Sequence, residues 1–353
     1  MTLLNLKKHS LGMILETNFW KNKKVLITGH TGFKGSWLTM LLNELGSKVI
    51  GLSLEPNTTP SIFHTNNLDT ICTSFISNIK DYDNLQNIVS EHKPEIIFHM
   101  AAQSIVKQSY KDPVNTFETN VIGSVNVCEV VRNFECVKAF VNITSDKCYK
   151  NLEKNIGYKE TDELGGHDAY SASKACSEIA TSAYISSFFS EIPRAVTARA
   201  GNVIGGGDWS DYRLIPDIIR SIISGKQLLI RYPNSVRPWQ HVMEPLTGYM
   251  ELAERLYSGG FVQGSWNFGP NETSHKTVRE VVERIKISLP ELNYEISKER
   301  SDHEAGLLYL DITKSCKNLE WTPKWSFEKS LFLTSEWYKA YMNNEDMLEF
   351  TKN

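Results

Sequence analysis

The chain has 353 residues, 41% hydrophobic and 22% charged, with a formal net charge of -3. That length suits one large domain or two ordinary ones with a sizeable core. The near-balanced charge excludes a broad electrostatic footprint for nucleic acid or an anionic membrane, and no apolar run approaches a membrane span.

Residues 1–18 carry Lys7 and Lys8 before a short apolar run that breaks at Glu16, so they read as an N-terminal extension without a signal-peptide cleavage site. The first strand is expected at "VLIT" (25–28), followed by a helix with Leu38, Leu41, Leu42 and Leu45 at helical spacing. Further strands are expected at 48–54, 74–77, 95–100, 139–144 and 195–200. Between them, Leu85, Ile88 and Val89 mark one helix, and Phe117, Val121, Val125 and Cys128 mark a longer one starting near Pro113. The strand runs are continuously apolar rather than alternating, as in strands covered on both faces of a parallel sheet. Repeated β-α-β units predict an α/β, Rossmann-like, doubly wound sheet with ligands at the carboxyl ends of the strands. After residue 200 glycines and prolines become dense. The expectation is a Rossmann domain over 19–200 and a smaller substrate domain over 201–353, partly interleaved, with about 240–268 returning to the first. Six cysteines form no CxxC pair and read as reduced thiols of a cytoplasmic protein.

Gly29, Gly32 and Gly35 sit between the first strand and first helix in "GHTGFKG". There glycine lets the backbone approach a pyrophosphate, whose charge suits a helix N-terminus. Spaced GxxGxxG rather than GxGxxG, the motif is weak alone and stronger in its strand-turn-helix context. Glu55, after the second strand, is the acidic candidate for the adenosine ribose, and Asn78, after the third, for adenine. No basic cluster follows the second strand to hold a 2′-phosphate, so NAD is preferred over NADP, although Lys34 and Lys48 keep NADP open. Tyr170 and Lys174 lie four apart on one helix face. A lysine ammonium and a cationic nicotinamide both favour the phenolate, which then accepts a proton from an alcohol.

Taken together, the glycine turn, "HMAAQS" (99–104), Asn120 and Tyr170-x-x-x-Lys174 resemble the extended short-chain dehydrogenase/reductase family from about residue 19 to about 335. "GHTGFKGSWL", "TSDKCY", "ARAGNVIGGGDW" and "RPWQHV" resemble its CDP-glucose 4,6-dehydratase branch more closely. The resemblance implies a cytoplasmic lyase that makes CDP-4-keto-6-deoxyglucose from CDP-glucose, for deoxysugars of O-antigen and lipopolysaccharide. It implies oxidation at C4, loss of water across C5 and C6, and return of hydride to C6, with NAD recycled. The implied cofactor contacts are Gly29, Thr31, Gly32, Phe33, Lys34, Gly35, Glu55, Asn78, Ile79, Ala101, Ala102, Gln103, Tyr170 and Lys174. By the same resemblance Ser145 hydrogen-bonds the sugar's O4 and Asp146 is the acid for the departing 6-hydroxyl. Lys147 stands where the dTDP-glucose dehydratases carry a glutamate base. It is either a neutral, desolvated base or a cation that stabilises the enolate. Gln103, Ser104, Ser145, Asn202, Leu214, Arg231, Arg237 and His303 are the implied substrate contacts, and a homodimer the implied assembly. The alternatives are a dehydratase or epimerase acting on another nucleotide sugar, and a non-catalytic NAD sensor. A simple epimerase needs no acid-base pair aimed at C5 and C6, and a sensor needs neither Tyr170 nor Lys174.

Overall fold

The computed structural model describes residues 17–154, 156–191, 194–297 and 308–353. In chain order the first six strands are β1 (Lys24–Thr28), β2 (Lys48–Ser53), β3 (Thr73–Ile76), β4 (Ile96–His99), β5 (Ala139–Ile143) and β6 (Ala195–Ala200). Then come β7 (Val203–Ile204), β8 (Leu228–Ile230), β9 (Val236–Pro238), β10 (Gln240–His241), β11 (Ser265–Phe268), β12 (His275–Thr277) and β13 (Tyr294–Ile296). Seven of them form one sheet in the order β11-β6-β5-β4-β1-β2-β3, and all its pairings are parallel.

The continuous apolar runs follow from this geometry. Alternate residues of a strand face opposite sides, and here both sides are covered. Val25, Ile27 and Phe98 pack with Leu38, Leu41 and Leu42 from the helix Phe33–Glu44 and with Leu246 and Met250 from the helix Met243–Tyr257. Leu26, Ile97 and Phe140 pack on the other side with Leu85, Ile88, Val127 and Val130. Each such side chain contributes roughly 1.5–3 kcal/mol on full burial. A separate cluster of Ile215, Ile218, Ile219, Leu228, Ile230, Trp239, Val281 and Trp337 forms the smaller lobe. Although they follow residue 200, the helix Met243–Tyr257 and β11 pack on or join the main sheet.

The long helix expected from Pro113 is interrupted. An α-turn (Pro113–Phe117) passes through a π-turn (Glu118–Ile122) into the helix Gly123–Asn133. The π-turn carries Asn120, whose Oδ1 accepts from Gln103 N at 2.8 Å while its Nδ2 donates to Gln103 O at 3.0 Å and Ser173 Oγ at 2.8 Å. The buried stripe is accordingly Ser124, Val127, Cys128, Val130 and Val131, and Phe117 is exposed. All six cysteines are free, and no helix among the described residues is long and apolar enough to cross a membrane.

Candidate active site

A cleft of about 1660 Å³ opens at the carboxyl ends of β1, β4 and β5 and is closed on its far side by the smaller lobe. Its floor is the glycine turn. Gly29 has φ +80°, and a Cβ there would lie 2.7 Å from Ala101 N; a Cβ on Gly35 would lie 2.1 Å from Gly29 O. Only glycine fits either position. Gly32 precedes the helix Phe33–Glu44 without a side-chain cap, so the first-turn N–H groups are left for a ligand. Gly32, Phe33, Lys34 and Gly35 all line the cleft. This turn fits a dinucleotide's pyrophosphate, because side chains neither fill the turn nor cap the helix.

Along the rim, Glu55 is exposed after β2, and Asn78 follows β3 with its Oδ1 accepting from Lys80 N at 3.0 Å. Lys48 opens β2, at the end of the parallel sheet opposite the cleft. Thr31 spends its hydroxyl on Ser53 Oγ and Leu54 O, both at 2.8 Å, which leaves its backbone for a ligand. Gln103 is likewise occupied within the protein: Nε2 donates to Thr116 Oγ1 at 3.0 Å and Oε1 accepts from Ile105 N at 2.6 Å. Ala101, Ala102, Ile79 and the exposed Ser104 complete this wall.

Ionisable groups gather where β5 ends. Ser145 caps the one-turn helix Asp146–Cys148 by accepting from Lys147 N at 3.2 Å, and its hydroxyl donates to Asp146 Oδ1 at 3.0 Å. The Lys147 ammonium lies 3.7 Å from the same buried carboxylate oxygen, its side chain 35% exposed. Tyr170 and Lys174 come from the helix Ala169–Phe188, whose first turn is capped by Asp168 accepting from Ser171 N at 2.9 Å. Burial pushes the Tyr170 phenol up from its ordinary value. The Lys147 ammonium and a hydrogen bond with Ser145 pull it back. Burial also lowers Lys174 to about 8, against the pull of the Glu178 carboxylate, and its ammonium donates to Ile143 O at 3.3 Å. Lys34 is brought to about 7 by burial and by the nearby cations Arg213 and Lys174. Arg213 is held by Asp208 at 3.0 Å. A phenol, a carboxyl group and several cations thus meet in one partly desolvated cleft, an arrangement suited to moving protons and stabilising a developing oxyanion.

Residues 26–332 match the protein family described as GDP-mannose 4,6 dehydratase. The chain belongs to that family. It is 45% identical over 348 residues to the CDP-glucose 4,6-dehydratase of Salmonella typhimurium, covering 96% of this chain and 97% of the relative. The dTDP-glucose 4,6-dehydratase of Haemophilus influenzae is 28% identical over 341 residues, 89% of this chain and 97% of the relative. Among solved structures, dTDP-glucose 4,6-dehydratase from Bacillus anthracis in complex with NAD superposes with TM-score 0.74 at 24% identity, covering 92% of this chain and 99% of that one. A UDP-glucose 4-epimerase from Thermotoga maritima does so with TM-score 0.78 at 22% identity, covering 90% and 99%. These structural likenesses support the doubly wound fold.

Within this family member, Ser145, Asp146, Lys147, Tyr170 and Lys174 converge on one cleft, as do the glycine turn and the ends of β2, β3 and β4. Asn202 and Leu214 line its other wall. Arg231 is exposed at the edge, and Arg237 is half-buried with Nη1 donating to Val236 O at 2.9 Å. His303 lies outside the described residues. Two residues of the site went unnoticed in the sequence. Arg213 opens the run "RLIPDII", but its partner Asp208 is five residues earlier across a loop, a spacing that carries no periodic signal. Glu178 was more accessible: it extends the four-residue spacing of Tyr170 and Lys174 by one more turn.

Proposed function

We propose that this chain is a lyase converting CDP-glucose to CDP-4-keto-6-deoxyglucose and water, using NAD as a recycled cofactor. The observation that carries this reading is the Ser145-Asp146-Lys147 turn beside Tyr170, in a chain 45% identical end to end to a CDP-glucose 4,6-dehydratase. Fold neighbours include both epimerases and dehydratases, so the fold alone does not choose the chemistry. The acid-base turn is what favours dehydration.

NAD, when bound along the glycine turn, supplies the hydride acceptor at C4 and the donor at C6. Gly29, Gly32 and Gly35 would give it close backbone approach, Lys34 would lie near its pyrophosphate, and Glu55 would hold its ribose. Tyr170 takes the proton from the 4-hydroxyl, and Ser145 hydrogen-bonds O4 as it becomes a carbonyl. Asp146 protonates the departing 6-hydroxyl. Lys147, a third exposed beside Asp146, has two balanced roles: as a free amine it takes the C5 proton and returns it to C5 when hydride reaches C6, and as an ammonium it stabilises the enolate while a water takes and returns that proton. Arg231 and Arg237 hold the diphosphate, with Asn202, while Leu214 borders the base and Gln103 and Ser104 border the sugar.

We extend the reading to a cytoplasmic homodimer that feeds deoxysugar assembly for surface polysaccharide. Nucleotide sugars and NAD are cytoplasmic pools. Val114, Phe117 and Ile122 are exposed beside the packed Tyr–Lys helix, which exposes Ile179 and Phe188, so an apolar face is available to a second copy. Light scattering should give twice the chain mass; a monomer mass at micromolar concentration would count against the dimer.

The substrate is tested by incubating the purified protein separately with CDP-, dTDP-, UDP- and GDP-hexoses, with and without NAD, and weighing the products. Loss of one water from CDP-glucose alone is expected. Loss from another sugar keeps the chemistry and overturns the substrate.

A further inference from the structure

Tyr170, Lys174 and Glu178 follow one another on successive turns of the same helix. Glu178 does not itself line the cleft but lies behind its wall, against the lining residue Thr144. It is 2% exposed and paired with an equally buried Arg199 on β6 at 2.7 Å. Its Oε1 accepts a short hydrogen bond from Thr144, and its Oε2 accepts from Thr197 Oγ1 at 2.7 Å and Ser265 Oγ at 3.2 Å. Arg199 passes its other terminal nitrogen to Tyr149 OH at 2.7 Å, and that hydroxyl donates to Asn267 Oδ1 at 2.8 Å. Thr144 directly precedes Ser145, and Tyr149 directly follows Cys148.

We propose that Glu178 and Arg199 are a positioning pair. From one buried point they tie both ends of the Ser145–Cys148 segment to the helix that carries Tyr170 and Lys174. The proposal rests on the function proposed above. A buried ion pair is a poor stabiliser compared with apolar packing of the same volume, and Arg199 Nε is buried without a hydrogen-bond partner among the described residues. Core stability is therefore a weak reason for this pair. Holding two separated segments in register to a fraction of an ångström is a strong one, because acid, base and phenol must meet a single sugar ring.

The pair also faces Lys174. The charged and titratable groups around that ammonium are Glu178 and Cys148, which favour its charge, and Lys34 and His99, whose own protonation it disfavours. Removing the Glu178 charge makes Lys174 lose its proton at a lower pH, so a turnover that needs the ammonium loses its alkaline side earlier. A purely structural role would lower turnover equally at every pH.

The test compares wild type, Tyr149→Phe and Glu178→Gln by hydrogen–deuterium exchange and by pH-dependent kinetics with CDP-glucose. Tyr149→Phe keeps the ion pair and removes the hydroxyl's bonds to Arg199 and Asn267, freeing the end of the segment. Its amides over 144–149 should exchange at least about fivefold faster with those over 169–188 unchanged, and kcat should fall at least about fivefold with KM within about twofold. Glu178→Gln should move the alkaline limb of kcat down by about one pH unit. Wild-type exchange or wild-type kcat in Tyr149→Phe overturns the proposal, as does a pH-independent fall in Glu178→Gln. If Glu178→Gln does not fold, Tyr149→Phe decides. A wild type inactive on every nucleotide sugar would defeat the proposed function instead, and the exchange comparison would still report whether the segment is tied.

Discussion

Replacing Tyr170 by phenylalanine is expected to lower turnover of CDP-glucose by roughly 1,000-fold, the range for loss of a general base, while NAD affinity stays within a few-fold of wild type. The substitution removes one hydroxyl and keeps the ring, so the buried position remains filled. Burial raises the phenol's pKa, and a raised pKa makes the phenolate a stronger base but a rarer one at neutral pH. Lys147 and Ser145 oppose the rise from the cleft side. The sign follows: turnover by wild type should climb with pH as the phenol ionises, and that climb should vanish in Tyr170→Phe. Product mass and fluorescence titration with NAD read the two quantities separately. Full turnover by the variant would remove Tyr170 from the chemistry.

Asp146→Asn is expected to cost roughly 100- to 1,000-fold in product formation, and to do so at a later stage. The amide keeps the shape of the carboxyl group and can still meet Ser145, whose hydroxyl lies 3.0 Å from Oδ1. It has no acidic proton to give the departing 6-hydroxyl. Oxidation at C4 does not need that proton, so rapid quench should find a 4-keto sugar still carrying its 6-hydroxyl. A variant that stalls before any oxidation would place Asp146 in substrate binding rather than in the elimination.

Much of the fold was legible because parallel strands buried on both faces leave an unmistakable trace, the apolar runs that became β1, β4, β5 and β6. The glycine turn was legible for a steric reason: Gly29 and Gly35 face backbone atoms that no Cβ could approach. The helix from Pro113 was less so. Its apolar residues suggested a single buried stripe, but the π-turn that points Asn120 at Gln103 rotates the stripe and leaves Phe117 outside. That turn answers to contacts between segments far apart in sequence, which no local period records. The same holds for charge. The four-residue spacing singled out Lys174 as the cation for Tyr170, and in the folded chain Lys147 is the leading charge on the phenol, with Arg213 also favouring its ionisation. Gln103 carries a related lesson: a polar residue after a cleft-edge strand invites a ligand role, yet its amide is spent on Thr116 and Ile105.

The central claim is an elimination across C5 and C6 framed by hydride transfer from C4 to C6 within one sugar. The most direct measurement is the mass spectrum and proton spectrum of the product formed from C4-deuterated CDP-glucose, run once in ordinary water and once in deuterated water. The expected product has lost one water, carries the original C4 deuterium at C6, and gains one solvent deuteron at C5 only in the second solvent. Dehydration with the C4 label lost to solvent, or no dehydration while NAD is demonstrably bound, would contradict it.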